Sequence, residues 1–217
     1  MIRAEKIYKS YDDVQVLKGI DLEIPEGKTV AIMGKSGAGK STLLHILGTL
    51  DDPDQGKIFL EDQLVAGLKS KELAHIRNNK IGFVFQFHHL LNEFSAIENV
   101  AIPAMVKSNN KAEAFKKAKE LLDYLELSHR LEHKPNEMSG GEQQRVAFAR
   151  ALVNNPKVVF ADEPTGNLDQ GTSEEVHNLI QKLKTELNQT FVIVTHDAYL
   201  AKVCDITFNI VDGRIVD

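Results

Sequence analysis

Residues 34–41 read Gly-Lys-Ser-Gly-Ala-Gly-Lys-Ser, and this stretch matches the phosphate-binding loop pattern G-x-x-x-x-G-K-[ST]. Its glycines let the backbone curl until successive N–H groups point at phosphate oxygens. We expect the Lys40 ammonium to reach the β- and γ-phosphates of a nucleotide, and the Ser41 hydroxyl to bind Mg²⁺. A helix that begins near Lys40 would add the positive end of its dipole, so this stretch predicts a nucleotide site.

The elements predicted on either side of this loop are the ones that such a loop requires. An apolar run at 29–33 predicts a buried strand before it, and a helical pattern at 40–50 predicts a helix after it. The pattern further predicts strands at 16–24, 57–60, 158–161 and 191–194, helices from 140, at 111–127 and at 173–187, and a mostly helical middle at 69–134. This alternation predicts an α/β fold with a mainly parallel sheet and an inserted helical subdomain. For the loop at 34–41, the weaker alternative is a glycine-rich turn that binds no ligand.

The composition limits the class of protein further. The chain has 217 residues, a formal net charge of -5, and no apolar run near the ~18 to 20 residues of a spanning helix. The acidic balance argues against a nucleic-acid binder. We therefore expect a soluble chain whose membrane role comes through a partner. The single cysteine, Cys204, excludes an intramolecular disulfide, and we expect a buried bystander rather than a reactive thiol.

Two adjacent acids, Asp162 and Glu163, follow the apolar strand at 158–161. Ligands gather at the carboxyl ends of strands in sheets of this kind. We expect Asp162 to hold Mg²⁺ and Glu163, which faces a different direction, to polarise an attacking water. Alone, this pair is as consistent with a solvated turn, but together with the loop at 34–41 it predicts a hydrolytic site.

A third motif, Ser139-Gly140-Gly141-Glu142-Gln143, is placed to begin a helix. Ser139 suits the N-cap, and Glu142 lies three residues later, as in a capping box. An ordinary helix start is the alternative, but two glycines in a first turn are costly unless something approaches the backbone closely. The bare helix start is a second anion site, which makes sense if it covers the γ-phosphate bound to another subunit.

Taken in order, these motifs resemble those of the ATP-binding-cassette family over essentially the whole chain. By this resemblance, Tyr11 would stack on adenine, and Gln86 would touch Mg²⁺ and the attacking water. His196 would contact the γ-phosphate, and residues 166–169, Gly-Asn-Leu-Asp, would cross to a dimer partner. Considered alone, Gln86 would be an ordinary surface amide and His196 an ordinary satisfied histidine.

The resemblance implies a P-loop NTPase fold with a RecA-like, mainly parallel sheet core, an N-terminal antiparallel β subdomain and an inserted α-helical subdomain. The core and β subdomain would occupy 1–86 and 156–217, and the helical subdomain about 87–155, within one ATP-binding domain. The implied activity is hydrolysis of ATP with Mg²⁺. The residues assigned to ATP are Tyr11, Gly34, Lys35, Ser36, Gly37, Ala38, Gly39, Lys40, Ser41, Thr42, Ser139, Gly140, Gly141, Glu142 and Asp169. Those assigned to Mg²⁺ are Ser41, Gln86 and Asp162, and those assigned to catalysis are Lys40, Gln86, Glu163 and His196.

The implied assembly is a head-to-tail dimer of two copies of this chain. Each ATP would lie between residues 34–41 of one copy and 139–143 of the other. The third motif departs from the common family pattern, with Met138 where leucine is commoner and Glu142 where glutamine is common. Methionine is close to leucine in volume, and glutamate suits a capping box, so neither departure puts the ATP chemistry in doubt.

The segment from Phe87 to Pro103 lies where cassettes of this family meet their permeases. It closely resembles the ATPases of lipoprotein-releasing (Lol) systems, which implies integral membrane partners of the LolC/LolE type and a peripheral place on the cytoplasmic face of the inner membrane. Cassettes of macrolide exporters and of cell-division complexes share much of this segment and stay open as alternatives. Cassettes that act on DNA are less favoured, because no long heptad run is present. Cassettes that act on ribosomes are less favoured too, because they usually join two cassettes by a charged linker, and we expect one cassette here. The pair His88-His89 is better interpreted as a partner contact than as a metal site, because adjacent side chains point apart.

Overall fold

The computed structural model describes residues 1–216, and the chain divides into two compact units. The first unit holds residues 1–77 and the chain from Leu183 onward, and the second holds Asn78–Lys182. In chain order the elements are β1 (Ile2–Tyr11), β2 (Val14–Ile24), β3 (Thr29–Met33), α1 (Lys40–Leu47), β4 (Gln55–Leu60), β5 (Gln63–Leu64), α2 (Ser70–Lys80), β6 (Ile81–Phe85), α3 (Ala96–Ser108), α4 (Lys111–Tyr124), α5 (Gly140–Leu152), β7 (Val158–Asp162), α6 (Gln170–Leu187), β8 (Thr190–Val194), α7 (Ala198–Val203), β9 (Ile206–Val211) and β10 (Arg214–Val216). Among the described residues, no helix combines the length and the apolar character needed to cross a bilayer.

The first unit contains an antiparallel sheet of order β2-β1-β4-β5. Ile2 of β1 lies opposite Ile24 of β2 on one side and Leu60 of β4 on the other. In β2, buried Leu22 and Ile24 alternate with exposed neighbours such as Glu23. This period of two is expected for a sheet with one face on the core. The sheet is the N-terminal antiparallel β subdomain that was predicted.

The first unit also contains the strand that leads into the phosphate-binding loop. β3 lies between β8 and β9 and runs parallel to both, and β10 pairs antiparallel with β9. Every residue of Thr29–Ile32 in β3 and of Thr190–Val194 in β8 is buried. Such uninterrupted burial is typical of parallel strands that are covered on both faces. The carboxyl end of β3 therefore delivers Gly34 to the edge where ligands bind in sheets of this kind.

In the second unit, β6 runs parallel to β7 and helices α3, α4 and α5 pack together. The first turn of α3 is held by a capping box between Ser95 and Glu98. Helix α5 lies close against β6, because a Cβ at Gly82 would be 2.5 Å from the Ala151 carbonyl oxygen. Glycine at position 82 is therefore required by the close approach of a helix to a strand.

Several predicted element bounds need correction. The middle of the chain was predicted as mostly helical, but Ile81–Phe85 is a strand. Its apolar and aromatic residues follow one another without helical spacing, which is typical of a strand. Helix α1 ends at Leu47, because Gly48 and the left-handed Thr49 terminate it, and α4 ends at Tyr124 rather than 127. The boundaries predicted for the subdomains (1–86 with 156–217, and 87–155) remain a prediction.

Candidate nucleotide site

The phosphate-binding loop joins β3 to α1 in the first unit. Gly37 and Gly39 have φ angles of 78° and 101°, which lie in the left-handed region that glycine adopts at little cost. Behind the loop the chain is tightly packed, because a Cβ at Gly39 would lie 2.8 Å from Leu17 Cδ2. On the other side, a Cβ at Gly37 would meet no atom of the described residues within 4 Å. The loop is thus supported from behind and open in front.

A cavity of about 560 Å³ lies in front of the loop. Its walls come from residues 33–38, from residues 209–212 of β9 and the turn after it, and from His196. Lys40 Nζ donates a hydrogen bond of 3.2 Å to the Lys35 carbonyl, so the ammonium lies folded across the loop. The phosphate-binding loop and His196, which the sequence assigned to one nucleotide, therefore share one cavity.

The start of α1 suits an anion. Its N-cap is Gly39, which offers no side-chain oxygen to the N–H groups of the first turn, and no acid occurs in that turn. Those N–H groups carry the positive end of the helix dipole and need acceptors. With the Lys40 ammonium nearby, the residues present fit a polyphosphate.

Tyr11 lies at the end of β1, and its side chain is held by Asp51 and Lys9. The hydroxyl donates to Asp51, and Lys9 Nζ lies 5.2 Å from the ring centroid and 2.8 Å from Asp51 Oδ1. The hydrogen bond to Asp51 raises the pKa of Tyr11, and a weaker contact with Thr42 opposes that shift. Tyr11 is 47% exposed, so its ring stays accessible to the adenine base of a nucleotide although its hydroxyl is held by Asp51. Lys9 and Asp51 were missed by sequence reasoning, since nothing local links them to Tyr11.

In the second unit, Asp162 ends β7 and lies opposite Phe85, the last residue of β6. This register places Gln86 at the same end of the strand pair. Glu163, which follows Asp162, has a φ angle of 46°. A left-handed conformation is uncommon for a residue other than glycine and costs about 1–3 kcal/mol, and such strained residues cluster at functional sites.

The Gln86 side chain packs on the loop that was predicted to cross to a dimer partner. Its Nε2 donates to Asn167 Oδ1 at 3.1 Å, and Asn167 Nδ2 donates to the Gln86 carbonyl at 3.2 Å. A Cβ at Gly166 would lie 2.8 Å from Gln86 Nε2, so a side chain there would displace the end of the Gln86 side chain. Asp169 caps α6 by accepting hydrogen bonds from the Thr172 N–H and hydroxyl, at 3.1 Å and 2.6 Å, and the pKa of Asp169 is lowered by these bonds.

Helix α5 begins as the sequence predicted, with Ser139 as N-cap and a complete capping box with Glu142. The two glycines of its first turn lie close to side chains of the same chain. A Cβ at Gly141 would lie 2.6 Å from Thr172 Cγ2, and one at Gly140 would lie 3.2 Å from a methyl carbon of Leu168. Packing within the chain therefore explains part of the need for glycine, and the case for a second anion site rests on the helix start itself.

The Glu142 carboxylate accepts three short hydrogen bonds. Oε2 accepts from the Ser139 N–H at 2.8 Å and from the Ser139 hydroxyl at 2.9 Å, and Oε1 accepts from Arg130 Nε at 2.7 Å. Burial raises the pKa of Glu142, but the Ser139 amide, Arg130 and the Ser139 hydroxyl together lower it to about 2. Glu142 is therefore ionised at neutral pH. Arg130 was not predicted as a site residue, because it lies 12 positions away in a 3₁₀ turn.

The segment from Phe87 to Pro103 exposes several large apolar side chains. Phe87 is 69% exposed, and Leu91 and Phe94 are 44% and 40% exposed. His88 and His89 both have left-handed backbones, with φ angles of 59° and 48°. Arg150 Nη1 donates to the His89 carbonyl and Arg150 Nη2 to the His88 carbonyl, each at 2.6 Å. This paired contact holds the beginning of the segment to helix α5.

Neither the Cys204 thiol nor the acidic and histidine side chains add a further site among the described residues. Burial raises the pKa of the half-buried Cys204 thiol to about 11, so it is not a reactive thiolate. Among residues 1–216, His, Cys, Asp and Glu side chains form no cluster of three or more that could hold a metal ion by themselves.

Comparisons with known proteins agree with these motifs. The family model described as ABC transporter matches residues 17–166. The lipoprotein-releasing system ATP-binding protein LolD of Bacteroides fragilis is 56% identical over 100% of both chains, and its namesake in Cytophaga hutchinsonii is 53% identical over 100% of this chain and 99% of its own. A solved dimeric ATP-binding cassette in a post-hydrolysis state, bound to ADP and Pi, is 41% identical, has a TM-score of 0.91, and is matched over 100% of this chain and 97% of its own. These matches confirm the predicted fold class.

Proposed function

Since the chain belongs to the ABC transporter family, we propose that it is the ATP-hydrolysing subunit of a complex that releases lipoproteins from the inner membrane. ATP binding and hydrolysis follow from the family and from the phosphate-binding loop. The proposed cargo is carried by one observation, the 56% identity over the full length of both chains to a lipoprotein-releasing ATPase. In such a complex, outer-membrane lipoproteins would pass to a periplasmic carrier.

The residues of the first unit would hold the nucleotide. The backbone N–H groups of 34–41 and the start of α1 bind phosphate oxygens, and the Lys40 ammonium swings from the Lys35 carbonyl to the β- and γ-phosphates. The Tyr11 ring stacks on the base. His196, which lines the same cavity, donates a hydrogen bond to the γ-phosphate and so stabilises the charge that develops on it.

The residues of the second unit would serve hydrolysis. We assign Asp162, Gln86 and Ser41 as the residues that would hold Mg²⁺, which would supply Lewis-acid stabilisation of the phosphoryl oxygens. The Glu163 carboxylate orients the attacking water and accepts its proton. The left-handed backbone at Glu163 fixes the direction of this side chain where a regular strand would not.

The active form would be a head-to-tail dimer of two copies. ATP stabilises that dimer because only the closed state offers a nucleotide both the loop at 34–41 and the start of α5 in the second copy. The dimeric relative supports this arrangement. The apolar side chains exposed at 87–94 support a contact between the segment Phe87–Pro103 and permease subunits at the cytoplasmic face of the membrane.

The substitution Glu163→Gln tests the hydrolytic mechanism. It keeps the size of the side chain and removes the base, so we expect ATP hydrolysis to fall by at least about 100-fold while ATP binding persists. On size exclusion the variant should elute as a dimer with Mg-ATP and as a monomer with Mg-ADP. Glu120→Gln, at an exposed site on α4, is the matched control and should leave both properties unchanged. A Glu163→Gln chain that stays monomeric at saturating Mg-ATP would contradict the dimer.

The cargo needs a separate experiment. The chain would be co-expressed with a candidate permease that has four membrane spans, and spheroplasts would be supplied with a soluble lipoprotein carrier. We expect release of a radiolabelled lipoprotein into the supernatant, and no release with the Glu163→Gln chain. A complex that leaves the lipoprotein in the membrane but lowers accumulation of a macrolide would refute lipoprotein release and favour drug export.

A further inference from the structure

Glu142 presents an electrostatic difficulty for the proposed dimer. Its carboxylate lies in the first turn of α5, where the γ-phosphate of the second copy would bind. The carboxylate accepts the Ser139 hydroxyl at 2.9 Å, so a phosphate that bonds Ser139 would be separated from it by a single hydroxyl. Two anions this close repel each other strongly in a site that excludes water. The chain therefore needs a cation that offsets the charge of Glu142 before a phosphate can approach.

Arg130 is the cation best placed for this purpose. Its Nε donates to Glu142 Oε1 at 2.7 Å, on the side of the carboxylate opposite the Ser139 bonds. The Arg130 side chain is 32% exposed, so the pair is partly shielded from solvent. His129 Nε2 lies 3.7 Å from the same oxygen, but its side chain is 64% exposed and it makes no shorter contact with the carboxylate. Arg130 Nη1 also lies 3.2 Å from His133 Nε2, which holds the guanidinium in place.

We propose that Arg130 is a positioning residue of the ATPase, which offsets the charge of Glu142 so that the start of α5 accepts the γ-phosphate bound to a second copy. The inference rests on the proposed function, because it concerns the dimer that ATP closes. Arg130 itself does not touch the nucleotide. Because Arg130 offsets its charge, Glu142 affects the electrostatic potential at the Ser139 hydroxyl much as a neutral glutamine would.

A purely structural role makes a different prediction. If the pair of Arg130 and Glu142 only braced the 3₁₀ turn against α5, its loss would lower stability and would not change the response of the dimer to ATP in a charge-dependent way. Removal of the guanidinium also leaves a buried carboxylate without its partner, which destabilises a fold. The test therefore has to separate the effect of charge from the effect of folding.

The experiment uses the Glu163→Gln chain as the parent, because we expect this variant to bind ATP without hydrolysing it. The Mg-ATP concentration that gives half-maximal dimer is measured by analytical ultracentrifugation for the parent and for variants that add Arg130→Met, Arg130→Lys, Glu142→Gln, or Arg130→Met with Glu142→Gln. Lys117→Met, which removes a cation from an ion pair on α4, is the control. Binding of a fluorescent ATP analogue to the monomer reports folding and the phosphate-binding loop independently.

We expect Arg130→Met to raise the half-maximal ATP concentration at least about tenfold, since it exposes the γ-phosphate to the charge of Glu142. Arg130→Lys and Lys117→Met should stay within about threefold of the parent. The double variant should stay within about threefold of Glu142→Gln alone, because no unpaired charge is left for Arg130 to offset. A double variant that is as impaired as Arg130→Met would overturn the role of charge, and so would an unchanged threshold for Arg130→Met. If Arg130→Met does not fold, the proposal is supported by a double variant that folds and dimerises like Glu142→Gln alone, together with an Arg130→Lys variant that dimerises like the parent. A double variant that binds the analogue but fails to dimerise overturns the proposal. A parent that never dimerises overturns the sandwich dimer, and the role of Arg130 with it.

Discussion

Glu163 and Tyr11 show how single residues of the site are held. Glu163 keeps a left-handed backbone directly after β7, which a glycine would adopt without strain. Tyr11 is fixed at its hydroxyl by Asp51 and shares that carboxylate with Lys9, so its ring is oriented and still accessible. In both cases, contacts or backbone strain set the direction of a side chain to which we assign a role in the proposed site.

The adenine-stacking role of Tyr11 can be tested by two substitutions. Tyr11→Phe removes the bond to Asp51 and keeps the ring, whereas Tyr11→Leu removes the ring as well. Loss of a base–aromatic stack costs about 1–3 kcal/mol of binding free energy. We expect Tyr11→Leu to weaken ATP binding by that amount in calorimetric titration, and Tyr11→Phe to weaken it by less than half as much. Equal losses for the two variants would show that the hydroxyl, and not the ring, matters.

At the scale of an element, α5 connects two features that lie at its opposite ends. Its N-cap is Ser139, at the proposed second anion site, and near its last turn Arg150 holds the carbonyls of His88 and His89. Burial lowers the pKa of Arg150 from its ordinary value, but an arginine side chain stays protonated in proteins. Helix α5 thus links the proposed second anion site to the segment that follows Gln86.

The contact made by Arg150 gives a prediction about this segment. Arg150→Lys keeps the charge but cannot form the paired bonds, and hydrogen bonds to charged groups contribute about 1.5–3 kcal/mol each. We expect urea unfolding to show a loss of that order and hydrogen exchange to become faster at residues 86–94. Arg145→Lys, on the same helix, loses only an ion pair with the exposed Glu175 and should cost less than about 1 kcal/mol. Equal losses for both variants would refute a special role for Arg150.

At the scale of the whole molecule, apolar surface is exposed on the segment Phe87–Pro103. This is the segment that, by the family resemblance, would contact the permease. Phe87 is 69% exposed and precedes the two left-handed histidines. Scattered apolar side chains on a surface need no explanation, but several within one short segment indicate an interface. Val106 on α3 is 72% exposed and lies outside the segment, which makes it a matched reference.

We expect Phe87→Ser to abolish co-purification of the chain with its permease, since an interface anchor of this size contributes about 2 kcal/mol or more. Unfolding of the isolated chain should change by less than about 0.5 kcal/mol, because the ring is exposed. Val106→Ser should leave co-purification intact. Co-purification that survives Phe87→Ser but fails with Val106→Ser would place the interface elsewhere.

Local signals in the sequence determined much of the fold and of the site. Glycine spacing predicted the phosphate-binding loop, the pair of Ser139 and Glu142 predicted the start of α5, and an apolar run predicted the strand that ends at Asp162. Each of these features depends on the conformational range of a few consecutive residues, so a short stretch contains the information. The assignment of Tyr11, Gln86 and His196 came from resemblance and not from local chemistry.

Only the tertiary structure decided which distant residues support the site. Arg130 meets Glu142 across 12 positions, Lys9 meets Asp51 across 42, and Arg150 meets the His88 carbonyl across 62. The strand at Ile81–Phe85, which ends directly before Gln86, was also missed and became evident only from its pairing with β7. Such contacts depend on how elements pack, and packing is set by the whole chain. The sequence by itself therefore determined the phosphate-binding chemistry, whereas only the tertiary structure decided which distant groups hold the residues of the site in place.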